Sequence, residues 1–189
     1  MASIFKGLKE TKPSGQKRDV TARPGRYLIR VDSMRQQESA KPPKGREFVA
    51  FEGTVVKVID DAQGQSHQVG HEFVELCMNF GPSAQMFLAK IAGILKGVLN
   101  QDPDDDDGST AVGADQPLKG LCVEMSAVLT PYADRVTKEQ KVACNRRFHR
   151  SLSKSEATAE LDEATIKRFW PSGGLIENPF APDEAAAEG

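Results

Sequence analysis

A mainly β chain, with five strands and one helix between the third and fourth, is predicted by three features of this sequence. Strand-like runs recur at 26–32, 48–60, 71–80, 121–130 and 142–150. A single stretch with helical spacing, 83–99, interrupts them. The last run is rich in basic and aromatic residues. Strand, strand, strand, helix, strand, strand is the element order of the OB-fold, a small Greek-key barrel that often holds single-stranded nucleic acid. The fold class predicted is therefore a five-stranded OB-fold barrel, with a flexible N-terminal arm and an acidic C-terminal tail.

The elements follow in order. Residues 1–24 mix Lys, Thr, Ser, Gly and Pro and read as a basic arm, with Ile4, Phe5 and Leu8 able to dock on the barrel. Pro24-Gly25 signals a turn. Tyr27, Ile29 and Val31 then alternate with Arg26, Leu28 and Arg30, as in a half-buried strand. A polar loop over 36–46 carries Lys41, Lys44 and Arg46. The second run, 48–60, is long, and Gly53 near its middle marks a bulge or bend. The third alternates Phe73, Glu75 and Cys77 against Val74, Leu76 and Met78. Ser83 is a candidate helix cap, and Met86, Phe87, Ile91, Ile94, Leu95 and Val98 form an apolar helical stripe that plugs the barrel end. Residues 101–116 read as a mobile acidic loop. Leu121, Val123, Met125, Ala127 and Leu129 alternate as the fourth strand. Val142, Cys144, Arg146, Phe148 and Arg150 share one face of the fifth. A short helix is expected within 161–170, with Trp170 packing on the barrel. Together these bound an OB-fold domain over 25–171, followed by an acidic tail over 172–189.

At 39% apolar content, a real core plus sizeable polar segments is expected. No apolar run approaches the ~18–20 residues of a membrane span, and the start of the chain lacks the apolar stretch of a secretion signal. Cys77, Cys122 and Cys144 are scattered singly, which reads as reduced, buried thiols in an intracellular, cytoplasmic protein. The net charge of −2 hides segregation: residues 1–50 hold twelve Lys/Arg against five Asp/Glu, and 138–150 hold five against one. Residues 100–117 hold six aspartates and no base. This pattern suits a basic surface for an anionic partner, with acidic segments held away from it.

Catalytic motifs are missing: there is no Gly-rich phosphate loop and no nucleophile elbow. His67 and His71 have a helical metal-ligand spacing but lie in a loop. The Asp104–Asp107 run lacks the spaced pattern of a calcium loop. Neither a metal nor another cofactor is expected, and no enzymatic activity.

Single-stranded nucleic acid requires cations along its phosphates and flat side chains against its bases. Arg146, Phe148 and Arg150 offer both on the fifth strand, although Phe148 equally suits the core. Arg26, Arg30, Lys41, Lys44 and Arg46 extend the basic track over the first strand and its loop. Tyr132, Lys138 and Lys141 supply the loop between strands four and five. Phe48 and Phe73 are stacking candidates on strands two and three, where at least one aromatic must face inward.

The chain resembles the phage-type OB-fold single-stranded DNA-binding proteins. The similarity rests on Ile4-Phe5-Lys6-Gly7, Pro24-Gly25-Arg26-Tyr27-Leu28, Phe48-Val49-Ala50-Phe51-Glu52, His67-Gln68-Val69-Gly70, Phe87-Leu88 and Pro117-Leu118-Lys119-Gly120, in that order. It implies a non-enzymatic protein that coats single-stranded DNA in phage replication or recombination, inside a bacterial host cell. It also implies an acidic tail that recruits replication or recombination proteins, here through Phe180, Asp183 and Glu184. In this chain Phe180 is internal and the terminus is Ala-rich, unlike the aromatic tip of bacterial tails. The alternatives are a phage structural or regulatory adaptor on the same fold, and a divergent nuclease using Asp104–Asp107.

Overall fold

A computed structural model describes residues 21–40, 44–81, 86–134, 136–172 and 174–178. It is mainly β. Strands β1 (Gly25–Glu38), β2 (Glu47–Asp61) and β3 (Glu72–Met78) come first. Helices α1 (Phe87–Leu99) and α2 (Asp105–Ala111) follow, then β4 (Cys122–Ala133), β5 (Gln140–Ser151), α3 (Lys154–Glu160) and α4 (Glu163–Phe169). The strands form one antiparallel sheet in the order β3-β2-β1-β4-β5. This arrangement is compatible with an OB-like fold.

The β1–β2 ladder bends where its register shifts. Ile59 and Val56 on β2, and Asp32 on β1, have no partner in the register and bulge out. The Asp32 bulge is held by the Arg30 guanidinium at 2.6 Å and by the Thr54 hydroxyl, which donates at 2.6 Å. Gly53 lies opposite Val31 beside this bulge. A side chain there would come within 2.9 Å of the Phe73 ring, so the glycine lets β3 close over the bend.

Each face of the sheet buries its own apolar cluster. The larger contains Tyr27, Ile29, Val31, Phe51, Val55, Phe73, Val123 and Met125, with Ile94, Leu95, Val98 and Leu99 of α1. The smaller joins Leu28, Val56 and Cys122 to Leu152, Ala157, Leu161, Phe169, Trp170 and Leu175. Helices α3 and α4 therefore cover the opposite face of the central strands. Trp170 is buried there as expected, and its indole N–H donates to the Gly120 carbonyl at 2.7 Å.

Several expectations are corrected. Two helices, not one, lie between β3 and β4, because part of the acidic segment folds. Asp104 accepts the Asp107 N–H at 2.7 Å, and Asp107 accepts the Asp104 N–H at 3.2 Å. This reciprocal cap starts α2 and gives the aspartates a structural role. Met86 is exposed rather than part of the α1 stripe. A second capping box, Ser153 with Glu156, starts an unforeseen α3. The tail begins later than expected: Leu175 joins the smaller cluster, and the Asn178 carboxamide donates to the Val98 and Leu99 carbonyls at the end of α1. The arm over 1–20, Ser83, Lys41, Phe180, Asp183 and Glu184 fall outside the described residues.

Helix α1 docks on the edge of β5. Asn100, in the left-handed region at the helix end, accepts the Ser151 N–H at 2.7 Å and donates to its carbonyl at 3.1 Å. One turn earlier, a Cβ on Gly97 would lie 2.4 Å from the Phe148 carbonyl. On an open helix, Gly→Ala stabilises by ~1 kcal/mol. Here Gly97→Ala is expected to destabilise by ~1–3 kcal/mol through overpacking, read as a lower midpoint in urea unfolding.

Candidate nucleic-acid interface

The sequence-predicted cations and aromatics divide into groups that the fold uses differently. Four belong to the interior or to inter-element contacts. Phe73 is fully buried in the larger cluster. Phe148 packs edge-on against Phe51 with ring centroids 4.8 Å apart, beneath α1. Arg30 reaches across to the Phe169 carbonyl and pairs with Asp32. The Arg146 side chain is only 1% exposed. Its guanidinium donates to Glu75 at 2.8 Å, to the Thr21 carbonyl at 2.8 Å and to the Val74 carbonyl at 3.4 Å, and lies 4.7 Å from the centre of the Phe73 ring. These four side chains are engaged in contacts within the fold. Alternation placed Arg146 and Phe148 on one face correctly, but that face points inward.

Three more sit at the surface in ion pairs. Arg26 bonds Glu124 at 2.5 Å. Arg150 bonds Glu156 at 2.7 Å and stands 3.8 Å from the same Glu124. Lys141 bonds Asp134 at 2.7 Å. Asp134 also accepts the Val136 and Thr137 N–H groups. The Lys141 ammonium, then these N–H donors, hold its carboxyl down at about 2, against an ordinary 3.8.

Phe48, Lys44, Arg46, Tyr132 and Lys138 remain, and the structure places them in two regions. The first is the outward face of the distal β2–β3 ladder. Phe48 lies opposite Met78, Ala50 opposite Leu76, and Glu52 opposite Val74. Because side chains alternate along a strand, these six share the face opposite Val49, Phe51, Phe73 and Cys77. Phe48, Val74, Leu76 and Met78 are half-buried and join neither apolar cluster. Arg35 stands beside them on β1, opposite Ala50. At the end of the ladder the Arg46 guanidinium lies 5.9 Å from the centre of the Phe80 ring. Lys44, Gly45, Arg46, Glu47 and Asn79 line an open pocket of about 380 Å³ there.

The second region is the β4–β5 ribbon. Tyr132 is 46% exposed opposite Lys141, with Asn145 and Arg147 further along the same face. Lys138 is exposed at the tip, and its N–H donates to the Asp134 carbonyl. A cross-strand bond of 2.7 Å joins Ser126 Oγ and His149 Nε2 at the base.

Arg35, Phe80, Val74, Leu76 and Met78 were missed as surface candidates. For β3 the signal was present: once Phe73 and Cys77 face inward, alternation turns Val74, Leu76 and Met78 outward.

His67 and His71 stack with ring centroids 4.1 Å apart, against Tyr27. Among the described residues, no group of three or more His, Cys, Asp and Glu side chains is placed to hold a metal ion. Cys77 and Cys122 are buried and Cys144 is partly so. Burial pushes the first two thiols up to about 11 and about 12. No helix among the described residues is long and apolar enough to cross a membrane. No family model matches the chain, and no curated protein matches it.

Two tests follow from this geometry. Arg146→Ala is expected to destabilise the protein by ~3–5 kcal/mol, because it leaves Glu75 buried with half its partners. A surface arginine would cost little, so chemical denaturation separates the two roles. For Asp134, a depressed carboxyl contributes stability above its ordinary value and loses that contribution as pH falls through its folded value. The window is thus between about pH 4 and pH 2. NMR titration of the Asp134 carboxyl should give a midpoint near 2, rising toward 3.8 in Lys141→Ala.

Proposed function

We propose that this chain is a sequence-tolerant single-stranded DNA-binding protein on an OB-fold barrel. The observation that carries this reading is the outward β2–β3 face: an aromatic and three aliphatic side chains, half-exposed and bordered by Arg35, Arg46 and Lys44. Bases stack on Phe48 and slide over Val74, Leu76 and Met78, while phosphates follow the cations. Stacking needs only the flat face that every base has, so sequence matters little.

The sheet order supports the barrel. In β3-β2-β1-β4-β5 only β3 and β5 lack a second neighbour. Arg146 spans from β5 to Glu75 and the Val74 carbonyl on β3, which supports a seam between these two edges. Helix α1 fills the end beneath the seam. The exposed Tyr132 and Lys138 on the β4–β5 connection extend the site in the manner of the loops that border an OB-fold groove. A role in phage replication or recombination, with partner recruitment by the acidic residues 183–184, belongs to the same reading.

The test is fluorescence anisotropy with a labelled oligothymidine at several salt concentrations. Binding should weaken steeply as salt rises, since each phosphate contact releases a counterion. Phe48→Ala should lose ~1–3 kcal/mol of affinity, about 5- to 150-fold in Kd, with little change in unfolding midpoint. Absence of binding at low salt overturns the proposal and favours an adaptor role on the same fold.

A further inference from the structure

The outer side of the β4–β5 ribbon carries a cation that the fold does not use. Ser126 lies opposite Arg147, and Val128 opposite Asn145. Alternation puts these four on one side, away from Met125 and Ala127 of the core. A register shift between Glu124 and Met125 leaves His149 without a partner in the ladder. The bulge turns its ring onto the same outer side, where it meets the Ser126 hydroxyl at 2.7 Å. Arg147 is exposed, and no ion pair joins it to a carboxylate among the described residues.

Beside this crossing of β5 and β4, where β1 begins, lies an open notch of about 700 Å³. Pro24, Ala62 and Val128 give it apolar surface, and Arg26, Ser126 and His149 give it hydrogen-bonding groups. Apolar walls with a few polar groups, next to an uncommitted guanidinium, suit a flat heterocycle joined to a phosphate.

Two routes lead from the β2–β3 face to this notch. The first crosses the central strands, but α3 and α4 cover Leu28, Val56 and Cys122 there. That cover is also acidic: residues 154–163 hold Glu156, Glu160, Asp162 and Glu163 against Lys154 alone. Phosphates are repelled along it. The second route passes from β3 to β5, where Arg146 reaches the Val74 carbonyl. The outward side chains next to this contact are Val74 on β3 and Arg147 on β5. The apolar end of the first face therefore meets the cation of the second.

We infer that a long single strand of DNA does not end on the β2–β3 face. It passes from Val74 to Arg147, which holds a phosphate, crosses the ribbon over Ser126 and His149, and seats a base in the notch against Val128. The inference rests on the DNA-binding reading and adds the far end of the path. A short oligonucleotide occupies the β2–β3 face alone, so strand length separates the two.

The test is fluorescence anisotropy with labelled oligothymidines of about 5 and about 15 nucleotides, near the limits of what one such fold covers. For the longer strand, Arg147→Glu should raise Kd about tenfold or more at low salt and lower the salt slope by about one. Val128→Asp should raise it about fivefold or more through loss of the base contact. Both variants should bind the shorter strand within about twofold of the unaltered chain, since its contacts lie elsewhere. A 4-thiothymidine at either end of the longer strand supplies a readout that needs no variant: one end should crosslink within 24–26, 60–62 or 126–128. Unchanged affinity and salt slope for the longer strand in both variants overturn the inference while DNA binding stands. So do equal losses at the two lengths, or crosslinks from both ends confined to β2 and β3. Absence of binding at either length overturns the DNA-binding reading itself.

Discussion

The Arg146 guanidinium is the contact on which the rest of the arrangement depends. No ladder joins β3 to β5 among the described residues, yet this one side chain reaches from β5 to a carboxylate and a carbonyl of β3. Removing a guanidinium from water costs several kcal/mol unless its donors are met. Here Glu75, Val74 and Thr21 accept from it, and the Phe73 ring lies against it. Glu75 also takes Lys90 from α1, and Lys90 in turn donates to the Leu76 carbonyl at 3.2 Å. The carbonyls that β3 turns toward β5 are thus met by side chains rather than by a strand. The same cluster fixes α1, β3, β5 and the residue at which the arm joins the described chain.

That use of charge decides where a ligand can go. Arginines on β1 and β5 would make a continuous basic track if all were exposed. Instead Arg146 goes inward, Arg30 supports α4, and Arg26 and Arg150 share Glu124. The smaller apolar cluster and its two helices then cover the outer side of the central strands. What stays open is the distal β2–β3 face, where aliphatic and aromatic side chains meet cations not drawn into these contacts, and the β4–β5 ribbon with Tyr132, Lys138 and Arg147. The proposed DNA site is defined as much by these occupied surfaces as by its own residues.

The sequence was informative where burial follows alternation, and less so where charge is involved. Strand runs, the apolar stripe from Phe87 to Val98 and the packing of Trp170 were legible because apolar periodicity states which side is dry. Phe73 and Phe148 were ambiguous, since an aromatic on a half-buried strand suits either face. Arg146 was misread because buried guanidinium is rare, and its partner Glu75 lies far away in sequence. The aspartates of residues 104–107 looked like a solvated run because a capping pair differs from a charge cluster only by geometry. Ser153 with Glu156 has the same spaced signature, so α3 was in principle readable. The register shifts at Asp32, Val56 and Ile59 left no signal beyond Gly53, since a bulge depends on what both strands do.

The free edges of this sheet are each guarded by different chemistry, and this constrains how copies of the chain can meet. Exposed edges invite strand addition and aggregation. On β3, Arg146 and Lys90 occupy carbonyls that an incoming strand would use. On β5, α1 lies along the edge and Asn100 imitates a partner strand at Ser151. On β4, beyond the end of β1, Pro131 removes a donor. With these edges blocked, the sheet offers another molecule side-chain faces rather than open backbone.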